Sequence, residues 1–247
     1  MAFANPVAKG NSADIYLYHG KIIKLFRARS PDGEAEYEAN KQRIAYTCGL
    51  PVPQVFGVTR VNGRQAIVME HIEGPTFGEL MRQDMGKAQD FLSLSVDIQI
   101  GMHSKSITAQ EPMRDKLARQ LREADILNEA SKASLLERLA GLPMENKLCH
   151  GDYHVFNLIK AENKTVIIDW IDSSAGNPCA DVSRTHLLYS RFSSKLADAY
   201  LNLYCAKSGL SRSDILAWAP VIAGARLSEN IPDEDAGRLL KIIQQYS

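Results

Sequence analysis

Short runs of β-branched and aromatic residues in the first part of the chain predict β-strands. These runs cover residues 15–18, 22–26, 55–61 and 65–69. His19-Gly20 separates the first two runs, and Asn62-Gly63 separates the last two. Both dipeptides favour tight turns, Asn-Gly most strongly. The start of the chain is therefore predicted to form two β-hairpins.

Helical patterns occupy most of the remaining chain. Residues 31–48 have the Glu, Ala, Lys and Arg content of a helix, which Gly49 and Pro51 bring to an end. Beyond Gly74-Pro75 helical periodicity dominates, over residues 77–84, 87–105, 112–127, 131–140 and, with breaks at Pro220 and Pro232, residues 181–246. Two short apolar, strand-like runs lie between these helices, at residues 147–149 and 165–168.

This order of elements predicts an α+β chain with two lobes. A small β-rich lobe is expected over residues 1–73, and a larger, mainly helical lobe over residues 74–247, with a hinge near residues 70–74. The full length of 247 residues is sufficient for two such lobes with a real core. Ligands often bind where two lobes meet.

Composition narrows the classes of function. The chain has 29 basic and 29 acidic side chains, so its formal charge of zero gives no support to a nucleic-acid partner. No apolar run is long enough to span a bilayer, and residues 1–6 lack the basic and apolar regions of a signal peptide. We therefore expect a cytoplasmic protein with no membrane partner. The four cysteines show no CxxC spacing, which favours buried thiols over a zinc site or a disulfide framework.

The candidate chemistry lies around the two short apolar runs. Asp152 and Asn157 have the Asp-x-x-x-x-Asn spacing of a protein-kinase catalytic loop, and Asp169 follows twelve residues later at the end of an apolar strand. Phosphoryl transfer needs a carboxylate that accepts a hydroxyl proton and oxygen ligands that hold Mg²⁺. Either polar residue alone would be read as a turn cap, but the combination favours a phosphoryl-transfer centre.

The segment His150-Gly151-Asp152-Tyr153-His154-Val155-Phe156-Asn157 resembles the catalytic loop of the aminoglycoside phosphotransferase and choline kinase superfamily. Ile168-Asp169-Trp170, Gly176-Asn177-Pro178 and Asp181 resemble that family's second block, except that Asn177 stands where the family usually has Asp. The resemblance implies a protein-kinase-like fold, in which Asp152 is the catalytic base and Asn157 and Asp169 bind Mg²⁺. It also implies that Asp181 is a buried carboxylate that braces the loop. His154 is more simply explained as loop support than as a metal ligand.

A kinase also needs a lysine on a strand to hold the nucleotide phosphates. Lys21 and Lys24 are candidates, and Lys24 is preferred because it lies inside the apolar run, on the opposite face of the strand from Lys21. By the family resemblance, Glu38 is its partner and Ser12 contacts the phosphates of ATP. The same resemblance places adenine recognition on the backbone of Glu70 and Ile72.

The acceptor is expected to be a small molecule that carries a hydroxyl group. Only eleven residues lie between Asp169 and Asp181, which leaves little room for the activation segment on which protein substrates dock. An acidic cluster, Glu229, Asp233, Glu234 and Asp235, could attract a cationic aminoglycoside or amino alcohol. The simpler interpretation is a helix start, and Arg226 is a nearby partner for Glu229.

Two alternatives remain open from sequence. One is a catalytically silent kinase-like module that only binds nucleotide, against which the intact Asp152, Asn157 and Asp169 argue. The other is a metal-dependent hydrolase that uses Asp152, His154 and Asp169. The acceptor's identity, a role in antibiotic resistance, the choice of ATP or GTP, and the oligomeric state are not encoded in any of these motifs.

Overall fold

The structure is a computed structural model that describes residues 5–10, 12–231 and 234–245. The chain forms two compact units. The first consists of the residues up to Gly86 together with Val155–Ile171, and the second of Lys87–His154 together with the residues from Asp172 onward. Within the described residues, no helix is both long and apolar enough to cross a membrane.

The first unit contains an antiparallel sheet of five strands. In chain order these are β1 (Ala8–Lys9), β2 (Ala13–Tyr18), β3 (Lys21–Phe26), β4 (Val55–Val61) and β5 (Arg64–Glu70), and their order in the sheet is β1-β2-β3-β5-β4. Asn62 and Gly63 both have positive φ, as a tight hairpin turn requires. The two predicted hairpins are therefore confirmed, and β1 is an additional short edge strand.

One helix, α1 (Glu34–Thr47), packs on this sheet. Its buried stripe includes Ala35 and Ala39, which form one apolar cluster with Phe26 of β3 and Ile67 of β5. Because alanine has the smallest side chain that still favours a helix, the backbone of α1 comes close to the strands. This close approach lets the buried side chain of Glu38 on α1 reach Lys24 on β3.

The first unit also contains a third hairpin, which comes from later in the chain. A short 3-10 helix (Val155–Asn157) leads into β7 (Leu158–Lys160) and β8 (Thr165–Ile167). Backbone hydrogen bonds of 2.8 and 2.9 Å run from Lys160 N to Pro75 O and from Ile167 N to Pro51 O. The helix α2 (Phe77–Gln83) lies in the same unit and begins with a capping box of Thr76 and Glu79.

The compact units thus differ from a simple cut at residue 73. The hairpin Leu158–Ile167 hydrogen-bonds to the segments around Pro51 and Pro75 and so belongs to the first unit, although it lies far along the chain. The functional division into a nucleotide-binding lobe, residues 1–73, and an acceptor lobe, residues 74–247, stays a prediction.

The second unit is mainly helical. Its helices are α3 (Ala88–His103), α4 (Met113–Glu123), α5 (Glu129–Gly141), α6 (Pro178–Ser190), α7 (Ser194–Ser208), α8 (Arg212–Leu216), α9 (Ala219–Leu227) and α10 (Ala236–Gln245). Two short strands, β6 (Lys147–Cys149) and β9 (Ser174–Gly176), form an antiparallel pair. Helix α6 is buried along nearly its whole length and contacts α7, α8 and α9. The α+β fold class is confirmed.

The predicted helical region after Asp181 consists of several helices, whose ends differ from the breaks predicted at Pro220 and Pro232. Ser193 and Ser211 cap the starts of α7 and α8, and Gly209 ends α7 with positive φ. Pro220 does not break a helix but lies in the first turn of α9, where a proline needs no N–H donor. Pro232 and Tyr246 lie outside the described residues.

Gly74 offers a test of the link between α2 and the β7–β8 hairpin. Its φ of 140° is accessible mainly to glycine, and an added Cβ would lie 2.2 Å from the Lys160 carbonyl oxygen. We expect Gly74→Ala to lower the free energy of unfolding by about 2–4 kcal/mol, measured by urea denaturation. Gly101→Ala is the control, because an added Cβ at this exposed position of α3 has no atom within 4 Å. This variant should change the free energy of unfolding by about 1 kcal/mol at most. Equal effects of the two variants would contradict this account.

Candidate active site

Lys24 lies in the middle of β3, on the sheet face that α1 covers. It is 9% exposed, and its strand neighbours on the same face, Ile22 and Phe26, pack against the buried stripe of α1. Its ammonium donates to Glu38 Oε1 at 2.5 Å and to Asp169 Oδ1 at 3.2 Å. The structure thus brings three residues singled out from sequence into one ionic cluster within the first unit.

The two carboxylates decide the charge of Lys24. Burial alone would favour the neutral amine, but the charges of Asp169 and Glu38 outweigh it and raise the pKa of Lys24 well above its usual range. Burial raises the pKa of Glu38, and the Lys24 ammonium opposes that rise. A fixed ammonium at this position is suited to binding phosphate oxygens.

Asp169 and Asn157 flank the β7–β8 hairpin. Asn157 precedes β7 and is buried, whereas the Asp169 side chain is 41% exposed and two residues beyond β8. The Ile168 N–H donates to the Asn157 carbonyl at 3.0 Å, which joins the two ends of the hairpin. Asp169 has a φ of 65°, a left-handed conformation that is uncommon for non-glycine residues but is adopted by Asp and Asn more often than by most.

The remaining predicted nucleotide contacts lie at the edges of the same sheet. Ser12 is exposed, and its carbonyl accepts from Arg27 N at 2.9 Å, while the neighbouring residue 11 lies outside the described residues. Glu70 ends β5, and its side chain accepts from Gln54 N at 3.1 Å. Ile72 follows in a half-buried irregular segment. Their contacts with a nucleotide stay predictions.

In the second unit, Asp152 follows a glycine that the backbone requires. Gly151 has a φ of 81°, and an added Cβ would lie 2.3 Å from the Asp172 carbonyl oxygen. The Asp152 N–H donates to His150 Nδ1 at 3.2 Å, and His154 Nε2 lies 3.5 Å from the Asp152 carboxylate. The segment Gly151-Asp152 is therefore held in one sharp conformation, with His154 beside the carboxylate.

Asp152 is ionised in this setting. Burial would raise its pKa, but the hydrogen bond and charge of His154, followed by the charges of Arg184 and His150, lower it well below its usual range. An ionised carboxylate can accept a proton from a hydroxyl group, as the predicted base must.

Asp181 braces the loop as the sequence predicts. It is almost completely buried, and its carboxylate accepts from Gly151 N at 2.6 Å and from Gln99 Nε2 at 3.1 Å, and it pairs with His103 Nε2 at 2.9 Å. Burial opposes ionisation, but these partners, above all His103, lower the pKa of Asp181 to about 2. Asn177 caps α6 through Cys179 N, and its amide also donates to Glu145 at 3.0 Å, a bond that the usual Asp could not form.

Two cationic residues near Gly151, Lys116 and Arg184, belong to no motif that the sequence revealed. Lys116 of α4 donates to the Asp172 carbonyl and carboxylate at 2.5 and 2.8 Å. Arg184, two turns into α6, is 7% exposed and pairs with Glu229 at 2.7 Å. No motif spacing connects these positions, because α4, α6 and the segment after α9 meet only in the folded chain.

The acidic cluster is engaged by arginines. Glu229 pairs with Arg184 and Arg226, and Glu234 pairs with Arg226 and Arg238. Asp235 accepts from Arg238 N at the start of α10, and Asp233 lies outside the described residues. Among the described residues, no cluster of three or more His, Cys, Asp and Glu side chains could hold a metal ion.

Comparison with known proteins identifies the family. The family model described as "phosphotransferase enzyme family" matches residues 4–216, which is most of the chain. The chain belongs to the phosphotransferase enzyme family. This membership confirms the predicted superfamily and the predicted class of enzyme, a small-molecule kinase. A sequence search among curated proteins gave no match.

Solved structures of this family share the fold at low sequence identity. A thermostable mutant of aminoglycoside phosphotransferase APH(4)-Ia, in ternary complex with AMP-PNP and hygromycin B, is 14% identical with a TM-score of 0.72, over 98% of this chain and 91% of that chain. Choline kinase LicA from Streptococcus pneumoniae is 18% identical with a TM-score of 0.67, over 100% and 94%. ADP-bound APH(2'')-Ib is 15% identical with a TM-score of 0.62, over 98% and 90%. The predicted kinase-like fold is confirmed.

The depressed pKa of Asp181 predicts a specific loss of stability in acid. Because its carboxylate is ionised in the folded protein down to about pH 2, it stabilises the fold above its unfolded pKa and loses that contribution as pH falls from about 5 towards 2. We expect the difference in unfolding free energy between the native chain and Asp181→Asn to shrink by about 2 kcal/mol over this range, measured by urea denaturation. A pH-independent difference would contradict the assignment.

Proposed function

We propose that this phosphotransferase is an ATP- and Mg²⁺-dependent kinase that transfers the γ-phosphate to a hydroxyl of a small molecule. The observation that carries the proposal is the Lys24 ammonium, held 2.5 Å from Glu38 and 3.2 Å from Asp169. A buried lysine paired in this way has its position and its charge fixed before the nucleotide arrives. Positioning and electrostatic stabilisation supply most of the catalysis in phosphoryl transfer.

The nucleotide would be bound by the first unit. Lys24 would hold the α- and β-phosphates, with Glu38 keeping the lysine in place. Ser12 would contact the phosphates, and the backbone of Glu70 and Ile72 would bind adenine. The AMP-PNP and ADP named for the solved relatives support a nucleotide of this kind.

The residues available for Mg²⁺ fit that ion. Asn157 and Asp169 offer an amide and a carboxylate oxygen, and Mg²⁺ prefers a few such hard oxygen ligands together with water and substrate phosphates. When bound, Mg²⁺ would neutralise charge on the phosphate oxygens. The half-exposed Asp169 side chain, already turned to Lys24, leaves room for such ligands.

Asp152 would act as the base. Its ionised carboxylate would orient the acceptor hydroxyl and accept its proton as the oxygen bonds to the γ-phosphorus and the bond to ADP breaks. Gly151, fixed by Asp181 and close to Asp172, would keep the carboxylate in place. The acceptor would be a small compound with a hydroxyl group. The hygromycin B and the choline kinase activity named for two relatives support a small acceptor without specifying its charge.

A variant of the base separates this function from a silent nucleotide-binding module. Asp152→Ala should lower acceptor-dependent ADP release by on the order of 10²–10⁴-fold, because no group accepts the proton, and should leave ATP affinity unchanged. The assay screens aminoglycosides, macrolides, amino alcohols and sugars, with calorimetry for ATP affinity. Asp90→Ala, at an exposed position of α3, is the control. Turnover that survives Asp152→Ala would refute the base.

The two candidate lysines provide a matched test of the nucleotide site. Lys24→Met should weaken ATP binding by about tenfold or more, since the only buried ammonium of β3 is lost. Lys21→Met removes an exposed ammonium that lies over the Phe56 ring, and should leave ATP affinity unchanged. Calorimetric titration of both variants, checked for folding by thermal unfolding, decides between them. Equal losses would remove the assignment of Lys24.

A further inference from the structure

A pocket in the second unit adjoins the residue that precedes the proposed base. We call it the Arg184 pocket, and its lining includes two cations, Lys116 and Arg184, and three carboxylates, Asp172, Asp181 and Glu229, beside Gly151. Apolar side chains of α4 and α9 complete its wall. Gly151 lines the pocket and directly precedes Asp152. A ligand group in this pocket would therefore lie close to the residue that we propose as the base.

Arg184 is the side chain that sets the chemistry of this pocket. It is 7% exposed, and its Nε–H has no hydrogen-bond partner among the described residues. Only one Nη group of the guanidinium is bound to Glu229. Because a buried N–H donor without a partner is destabilising, such donors commonly mark a place where a ligand or water completes the bonding.

The ion-pair network that contains Arg184 has one more guanidinium group than carboxylates. The carboxylates of Asp172 and Asp181, which also line the pocket, have other partners, Lys116 for Asp172 and Gly151 N with His103 for Asp181. Two carboxylates, Glu229 and Glu234, are shared by three guanidinium groups, those of Arg184, Arg226 and Arg238. Of these arginines, Arg184 lines the pocket. The ammonium of Lys116 adds a second cation there, paired with Asp172. Two members of the acidic cluster that could have attracted a cationic acceptor, Glu229 and Glu234, are therefore already paired with arginines.

The size of the pocket limits what can enter. Its volume of about 30 Å³ is sufficient for roughly two water molecules, and hence for the oxygens of one small group rather than for a sugar ring. A guanidinium with open N–H donors binds carboxylate and phosphate oxygens most strongly. An anionic group of that size would provide an acceptor for the Arg184 Nε–H donor.

We propose that the Arg184 pocket binds an oxyanion, a carboxylate or a phosphate ester, carried by the phosphate acceptor beside its reacting hydroxyl. This inference rests on the proposed kinase function and specifies its acceptor class as hydroxy acids or sugar phosphates. The charge of Arg184 also lowers the pKa of Asp152, which agrees with a location near the base. Arg184 and Lys116 then determine specificity and disfavour polycationic acceptors.

The test compares acceptors that differ in charge. ADP release by the full chain with Mg²⁺ and ATP is measured with D-glycerate and L-homoserine, with glycerol 3-phosphate and ribose 5-phosphate, and with choline, kanamycin, glycerol and ribose. We expect stimulation by a compound from one of the two anionic groups, and the responding group tells carboxylate from phosphate. Stimulation by the cationic or neutral compounds alone would overturn the proposal.

Variants assign the effect to the pocket. Arg184→Gln should raise the KM for the anionic acceptor about tenfold or more and leave the KM for ATP unchanged, with partial recovery in Arg184→Lys. Lys116→Met, which leaves the arginine network intact, should act in the same direction if Arg184→Gln fails to fold. Arg212→Gln removes an exposed arginine paired with Asp198 and is the control. A change below twofold in both pocket variants would overturn the proposal.

A direct binding measurement covers the case in which no compound stimulates ADP release. Phosphate and acetate are titrated into the native chain and Arg184→Gln, and binding is followed by nuclear magnetic resonance. Binding that depends on Arg184 supports the pocket, and its absence overturns it. A parallel calorimetric titration with ATP reports on the kinase proposal by itself, so the two failures are distinguishable.

Discussion

The buried ammonium of Lys24 is the constraint on which the first unit depends. A buried charge without partners is strongly unfavourable, so Lys24 needs both Glu38 and Asp169 close to it. Glu38 comes from α1, and Asp169 follows β8, far along the chain. The ion pairs therefore fix the helix, the sheet and the hairpin end relative to one another, and they involve the residues that we propose for phosphoryl transfer.

A second buried ionic centre plays the corresponding part in the other unit. Asp181 of α6 binds the Gly151 N–H directly, while Gln99 and His103 of α3 satisfy the rest of its carboxylate. Hydrogen bonds to an ionised buried group are among the stronger ones in proteins. The loop that carries Asp152 is thus positioned by the buried carboxylate of Asp181.

Sequence predicted the parts whose signal is local. Asn62-Gly63 specifies a turn by backbone conformation, the composition of residues 31–48 predicts a helix, and the fixed spacing around Asp152 specifies the loop. The features that could not be predicted from sequence are contacts between segments that are far apart along the chain. The importance of Arg184 is evident only because the fold places it near Glu229 and Gly151. Pro220 lies in the first turn of α9, whereas the local rule for proline predicted a helix break there. The pairing of three arginines with Glu229 and Glu234 likewise depends on the folded chain.

The central claim is a preformed site for a nucleotide and Mg²⁺ around Lys24 and Asp169. The most direct measurement is calorimetric titration of ATP into the chain, with Mg²⁺ present and then with Mg²⁺ removed by a chelator. We expect saturable binding of one ATP per chain that weakens by about tenfold or more without Mg²⁺, because Mg²⁺ would neutralise charge on the phosphate oxygens. Absence of binding in the presence of Mg²⁺, or equal affinity in its absence, would contradict it.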